Sequence, residues 1–226
     1  MKLTARAFAP GAISSFFEIH DTTADGAPIT DLERVGARGG GFGLQRGVYT
    51  KVTAEEAAVN NIQVFINLQP TAEAKTTENV IQTMLNQTGK NYRVTVEHQI
   101  DVPIGMGFGT SAGGALTAGL ALREALALPL TYNQIGKIAH ISEIQCRTGL
   151  GTVSALTVGG GLILVTEPGA PGICQIDRIP ISPDYVIVAG FYTSKLPKTV
   201  LSSPERKVQI NRYGKKTLKQ ILAEPR

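Results

Sequence analysis

The 226-residue sequence has no tryptophan, only two cysteines and no apolar run of 18 residues. Without such a run it predicts no membrane-spanning helix. Cys146 and Cys174 form no CxxC pair and meet no clustered histidines, so a zinc site is excluded and two reduced thiols in a cytoplasmic protein are the simplest reading. The first 17 residues carry Arg6 and Pro10-Gly11 where a secretory signal needs an unbroken apolar stretch. Charged residues make up 18% and hydrophobic ones 42%, a globular balance with material for a sizeable core. The formal charge of +4 is uneven: from Ser182 onward nine Lys/Arg face three Asp/Glu, a net of +6. The basic character belongs to the tail, and nothing in the body reads as a nucleic-acid surface.

What the chain has in quantity is glycine, 25 residues, much of it in two places. Strand-like segments fill the first half: "LTARAFA", ending at Pro10-Gly11; "GGGFGLQRGVYTKVTA"; "IQVFINL"; and "YRVTVEHQID", broken by Pro103. A helix is expected from Glu78 to Gln87, with Gly89 as its stop. The middle is helical. An Ala/Leu-rich stretch runs from Ser111 to Leu128, and a capping box at Thr131 and Gln134 opens a second helix reaching about Arg147, closed by Gly149. "VSALTVGGGLILVTEPG" and "DYVIVAGFYT" read as strands again, followed by a basic helix. Strands, then helices, then strands predict an α+β fold, not a regular βαβ alternation.

The second glycine cluster, "PIGMGFGTSAGGALTAG" at residues 103–119, opens the first long helix. No lysine lies within it, which excludes a Walker A loop. Gly107, Gly109 and Ala112 fit a relaxed dinucleotide fingerprint, but a helix follows instead of the strand that motif needs. Two readings stay open on chemistry alone. One is a phosphate cradle built from helix N-terminal amides, with Thr110 and Ser111 adding hydroxyls to phosphate or Mg²⁺. The other is an N-cap followed by a small-residue packing helix. On the second helix His140, Glu143 and Arg147 share one stripe, either a functional row or a solvated face with one ion pair.

"PIGMGFGTSAGGA" resembles the phosphate-binding signature of the GHMP kinases, and "FAPGAISSFFEI" resembles their first signature. The combination with "GARGGGFGL", "AHISEIQCRTGLGTV" and "GGG…EPGAPG" is most similar to the archaeal pantoate kinases. The resemblance implies an N-terminal nucleotide-binding domain of the ribosomal protein S5 domain 2-like type over residues 1–181. Residues 182–226 would then begin a ferredoxin-like second domain, incomplete here. It further implies phosphorylation of pantoate by ATP with Mg²⁺ on the archaeal route to coenzyme A, in a cytoplasmic homodimer with no nucleic-acid or membrane partner. Pro103, Gly105, Gly107, Gly109, Thr110, Ser111 and Ala112 would hold the nucleotide, and Ser111 and Glu143 the metal. His140 would assist catalysis and touch the acceptor, with Arg38, Ser14, Ser15 and Arg147 lining the same pocket. The sequence departs from that pattern at Thr152, where relatives carry Asp; at Ala37, where a Ser is expected; at Ala12; and at Leu164-Val165-Thr166, where many carry Arg. No third glycine signature follows Gly190. A non-catalytic nucleotide-binding homologue and a kinase for homoserine- or mevalonate-type acceptors are therefore the alternatives.

Overall fold

Val48, Thr50, Val52 and Ala54 are fully or almost fully buried, while Tyr49 between the first two is 46% exposed. This period of two marks one half of a long strand with a core face and an open face. In the computed structural model, which describes residues 1–182, 184–190 and 203–225, that strand is β2 (Gly36–Glu56). It pairs antiparallel with β1 (Leu3–His20) along one side. On its other side the later half pairs with β5 (Tyr92–Ile100) and the glycine-rich start with β6 (Gly161–Glu167). The sheet is completed by β3 (Asn61–Ile66), β4 (Gln69–Pro70) and β7 (Gln175–Ile179), in the order β4-β3-β5-β2-β6-β7 with β1 on β2.

Helices α1 (Lys75–Leu85), α2 (Thr110–Leu126) and α3 (Tyr132–Gln145) cover the core face. Val80, Ile81 and Met84 of α1 and Ala115, Leu116 and Leu122 of α2 meet Val52, Val94 and Val96 of the sheet. The small residues of α2 set its depth. A β-carbon on Gly113 would lie 2.9 Å from Val48, and one on Gly119 2.7 Å from Ile135, so α2 rests almost backbone-to-side-chain on both neighbours. The capping box at Thr131 and Gln134 is present as expected.

Four local expectations are corrected. β1 does not stop at Pro10-Gly11 but continues through two irregularities in register, between Pro10 and Ala12 and between Ser14 and Phe16; on the outermost strand of the pair, a proline at a bulge is tolerated. "VSAL" is not strand but part of a short helix, α4 (Thr152–Leu156), because Val153 and Leu156 bury together at helical spacing. Helix α3 ends at Gln145 and is closed by Arg147, not Gly149. Arg147 takes the left-handed conformation (φ 55°) while Arg147 N–H donates to Ile144 O and Thr148 N–H to Glu143 O, the paired bonds of a Schellman motif. Residues 184–190 form no strand, having no neighbour to pair with among the described residues, and residues 191–193 of the same expected strand lie outside them.

The final helix, α5 (Pro204–Ala223), packs on β1. Asn211 accepts from Ile19 N–H at 2.7 Å and donates to Ile19 O at 3.1 Å, so one amide satisfies both backbone groups of that strand residue. Gly214 makes the approach possible, since a β-carbon there would lie 2.0 Å from Phe17 O. No helix among the described residues is long and apolar enough to cross a membrane.

Candidate active site

The loop ahead of α2 owes its shape to three alternate glycines. Gly105, Gly107 and Gly109 have φ of 76°, 81° and 65°, a left-handed geometry that a side chain disfavours. Gly109 is the N-cap of α2 and offers no side chain to the first-turn amides. Residues 104–107 form a turn, yet among the described residues no N–H of residues 104–111 makes a hydrogen bond of ordinary geometry to a protein acceptor. A helix start with open amides and a favourable dipole is an anion site in waiting. The loop is anchored from below, where Ala12 N–H, freed by the bulge after Pro10, donates to Phe108 O at 3.0 Å.

Gly107 and Gly109 form one wall of a cavity of about 560 Å³. Ser14, Arg38, the glycine run Gly39 to Gly41 and residues 147–152 complete most of the lining. The lining holds two guanidiniums, Arg38 and Arg147, and no carboxylate or imidazole. That balance suits a small anion beside a polyphosphate.

Behind the wall at Gly149 lies Glu143, 2% exposed. Its Oε1 accepts from Thr148 Oγ1 at 3.0 Å, and the Ser111 hydroxyl lies close enough to favour the charged carboxylate. Thr76 on α1 joins the group, 3.0 Å from Thr148 Oγ1 and 3.4 Å from Ser111 Oγ. Burial pushes the Glu143 carboxyl above its ordinary range, and the two hydroxyls only partly offset this. No ion pair among the described residues neutralises it; Arg147 sits at the cavity and does not reach back to it. A buried carboxylate ringed by hydroxyl oxygens and lacking a basic partner suits a hard divalent cation. Gly149 packs directly on it: a β-carbon there would stand 2.3 Å from Glu143 Oε2 and would displace the carboxylate.

Thr152, at the start of α4, touches the loop directly: its methyl would be 3.1 Å from a β-carbon on Gly109. Arg38 is committed to a partner that the sequence did not reveal. Its Nη2 donates to Glu18 Oε2 at 2.9 Å, directly across the β1–β2 ladder, and its buried Nε has no acceptor. Two of the five residues expected around the acceptor do not join the cavity. His140 is 1% exposed and its Nε2 bonds Val35 O at 2.9 Å, so it ties α3 to the segment before β2 and does not line the cavity. Ser15 faces a separate groove between β1 and α5, since neighbouring residues of a strand point to opposite faces. Pro103 and Gly105 belong to the loop away from the cavity, Thr110 and Ser111 to the first turn of α2, and Ala112 is buried beneath it.

The family model for the GHMP kinases N terminal domain matches residues 75–160, the stretch that carries the loop, α2, α3 and Glu143. The pantoate kinase of Methanocaldococcus jannaschii is 32% identical over 220 residues, covering 96% of this chain and 73% of that protein. The pantoate kinase of Thermococcus kodakarensis is 29% identical over 226 residues, covering 98% of this chain and 70% of that one. Among solved structures, one described as a phosphotransferase related to the CoA biosynthesis pathway superposes with a TM-score of 0.81 at 28% identity, over 99% of this chain and 71% of its own. Fold, loop and relatives agree: the chain belongs to the GHMP kinases, in the group that includes the archaeal pantoate kinases.

Proposed function

We propose that the chain is an ATP-dependent kinase that phosphorylates the hydroxyl of pantoate in coenzyme A biosynthesis. The observation that carries this reading is the glycine loop with its open amides, of which Gly107 and Gly109 line a cavity whose only charges are two arginines. In it the amides of the loop, with Thr110, hold the triphosphate, and Gly105, Gly107 and Gly109 supply the curvature. Ser111 and Glu143 hold Mg²⁺, which when bound would neutralise charge on the phosphates. Arg38 and Arg147, with Ser14, receive the acceptor's carboxylate and hydroxyl, Arg38 through the N–H groups that Glu18 leaves free. Thr152 can hydrogen-bond the acceptor hydroxyl but cannot take its proton at neutral pH. With no carboxylate or imidazole in the lining, transfer relies on alignment and charge stabilisation.

The same proposal keeps residues 1–181 as the nucleotide-binding domain and residues 182–226 as the start of a second. A homodimer acting in the cytoplasm completes it, supported by the family resemblance alone. ADP release with pantoate, homoserine and mevalonate as competing acceptors tests the reading. Pantoate should be preferred, and Ser111→Ala should cut turnover by about a hundredfold or more. Tight MgATP binding with no turnover of any hydroxy acid would instead identify a non-catalytic nucleotide binder.

A further inference from the structure

Beneath the first turns of α2, four buried side chains form one hydrogen-bond chain across four elements. His98 on β5 is 4% exposed. Its Nδ1 lies 2.7 Å from Thr50 Oγ1 on β2, its neighbour across the ladder, and its Nε2 lies 3.0 Å from Thr77 Oγ1 on α1. Thr50 Oγ1 in turn contacts Thr117 Oγ1 on α2, which lies 2.8 Å from Gly113 O. Burial holds the imidazole pKa down to about 4, so the ring is neutral near pH 7. A neutral ring has one donor nitrogen and one acceptor nitrogen.

Counting donors fixes the direction of every bond. A carbonyl oxygen only accepts, so the Thr117 proton points at Gly113 O; turned toward Thr50, it would leave two oxygens facing each other at 2.8 Å without a proton. Thr50 must then donate to Thr117, and its oxygen accepts from the ring. Nδ1 therefore carries the proton, and the bare Nε2 accepts from the Thr77 hydroxyl.

Both ends of this chain bear on the phosphate side of the cavity. Gly113, whose carbonyl receives the last proton, donates its own N–H to Gly109 O at 2.9 Å, at the final glycine of the loop. Thr77 is the neighbour of Thr76, which holds Thr148 and Ser111 beside Glu143. We propose that His98, as its Nδ1–H tautomer, is a positioning residue that locks α1 and α2 together so that Ser111, Thr76 and Thr148 present their hydroxyls at one place. An apolar side chain of equal volume would fill the space but would fix neither helix in rotation. The role rests on the kinase reading above.

Long-range ¹⁵N–¹H NMR on the full chain reads the tautomer, and nucleotide binding reads its consequence. The expected spectrum has a pyrrole-type Nδ1 and a pyridine-type Nε2 from pH 6 to 8. Thr77→Val keeps the shape and removes the donor to Nε2. It should weaken MgATP binding about tenfold, leave the acceptor KM unchanged, and be rescued by Thr77→Ser. Thr50→Val, which cuts the other side of the ring, serves if Thr77→Val fails to fold. An Nε2–H ring, a doubly protonated ring, or a folded Thr77→Val variant with unaltered nucleotide affinity and turnover would overturn the proposal. An unsubstituted chain that binds no MgATP would overturn the kinase reading and this role together, a result recognisably different from variants that match the unsubstituted protein.

Discussion

The two walls of the cavity are built on different principles. The phosphate wall is backbone: three left-handed glycines, a helix start with open amides, and behind them a carboxylate that no basic side chain neutralises among the described residues. The acceptor wall is side chain: Arg38 held by Glu18 across the β1–β2 ladder, Arg147 on a strained helix end, and Ser14 beside a bulge. Backbone recognition is set by local sequence and suits a ligand that never changes. Side-chain recognition depends on register and can be retuned by one substitution. Of the departures from the family pattern, Ala37 lies beside Arg38 on the acceptor side, whereas Ala12 and Thr152 pack against Gly109 of the phosphate loop, where the two walls meet.

The sharpest break of this contrast is Glu143→Gln. The amide keeps the shape and removes the charge, so turnover should fall by at least about a hundredfold. Stability should move the other way. A carboxyl whose folded pKa lies above its unfolded value costs stability once the pH exceeds the unfolded value, and the cost is complete above the folded one. Without cation or nucleotide, Glu143→Gln should therefore melt about 2–4 °C higher at neutral pH, the response to roughly 1 kcal/mol at this chain length. The gap should close as the pH falls toward the ordinary carboxylate range, where both proteins carry a neutral group. A lower melting temperature at pH 7 would mean that the carboxylate is not an unneutralised charge.

On the acceptor wall, Arg38→Lys separates charge from geometry. Lysine keeps the positive charge but cannot span Glu18 and a second carboxylate with one planar group. The acceptor KM should rise about 10- to 100-fold, from the loss of a charge-assisted bond of about 1.5–3 kcal/mol, with the KM for MgATP unchanged. Equal losses for both substrates would erase the distinction between the walls.

The phosphate wall was legible in the sequence because its determinants are contiguous. "PIGMGFGTSAGG" fixes its own turn, and the Thr131–Gln134 box sets the start of the helix that carries Glu143. The acceptor wall was not, since Glu18 meets Arg38 only after two irregularities shift the β1–β2 register. His140 shares a helical stripe with Glu143, and only packing decides that its Nε2 meets Val35 O. Nothing in the sequence pairs Thr76 with Thr148: one opens a helix and the other lies just past the end of another, and they converge through the tertiary fold alone. "VSAL" satisfied both strand and helix periods, and burial of Val153 with Leu156 chose the helix.

The smallest effect tests whether the acceptor wall also depends on α5, far in sequence but laid against the same strand. Asn211 satisfies Ile19 N–H and Ile19 O, one residue from Glu18, and Lys207 pairs with Asp21 just beyond. Asn211→Ala leaves both partly buried backbone groups without their partner, a cost of about 1–2 kcal/mol in stability. If α5 only covers an edge, kinetics should be untouched. If it holds the Glu18–Arg38 rung in register, the acceptor KM should rise a few-fold, by about 2–5, while MgATP is bound as before, since a rung loosened by less than 1 kcal/mol shifts an equilibrium by no more than that. The second outcome is expected. Gly214 lets α5 approach to within contact of Phe17 O, and Phe17 lines both the cavity and the groove beneath the helix, so a shift of α5 reaches the acceptor wall before it reaches the phosphate loop.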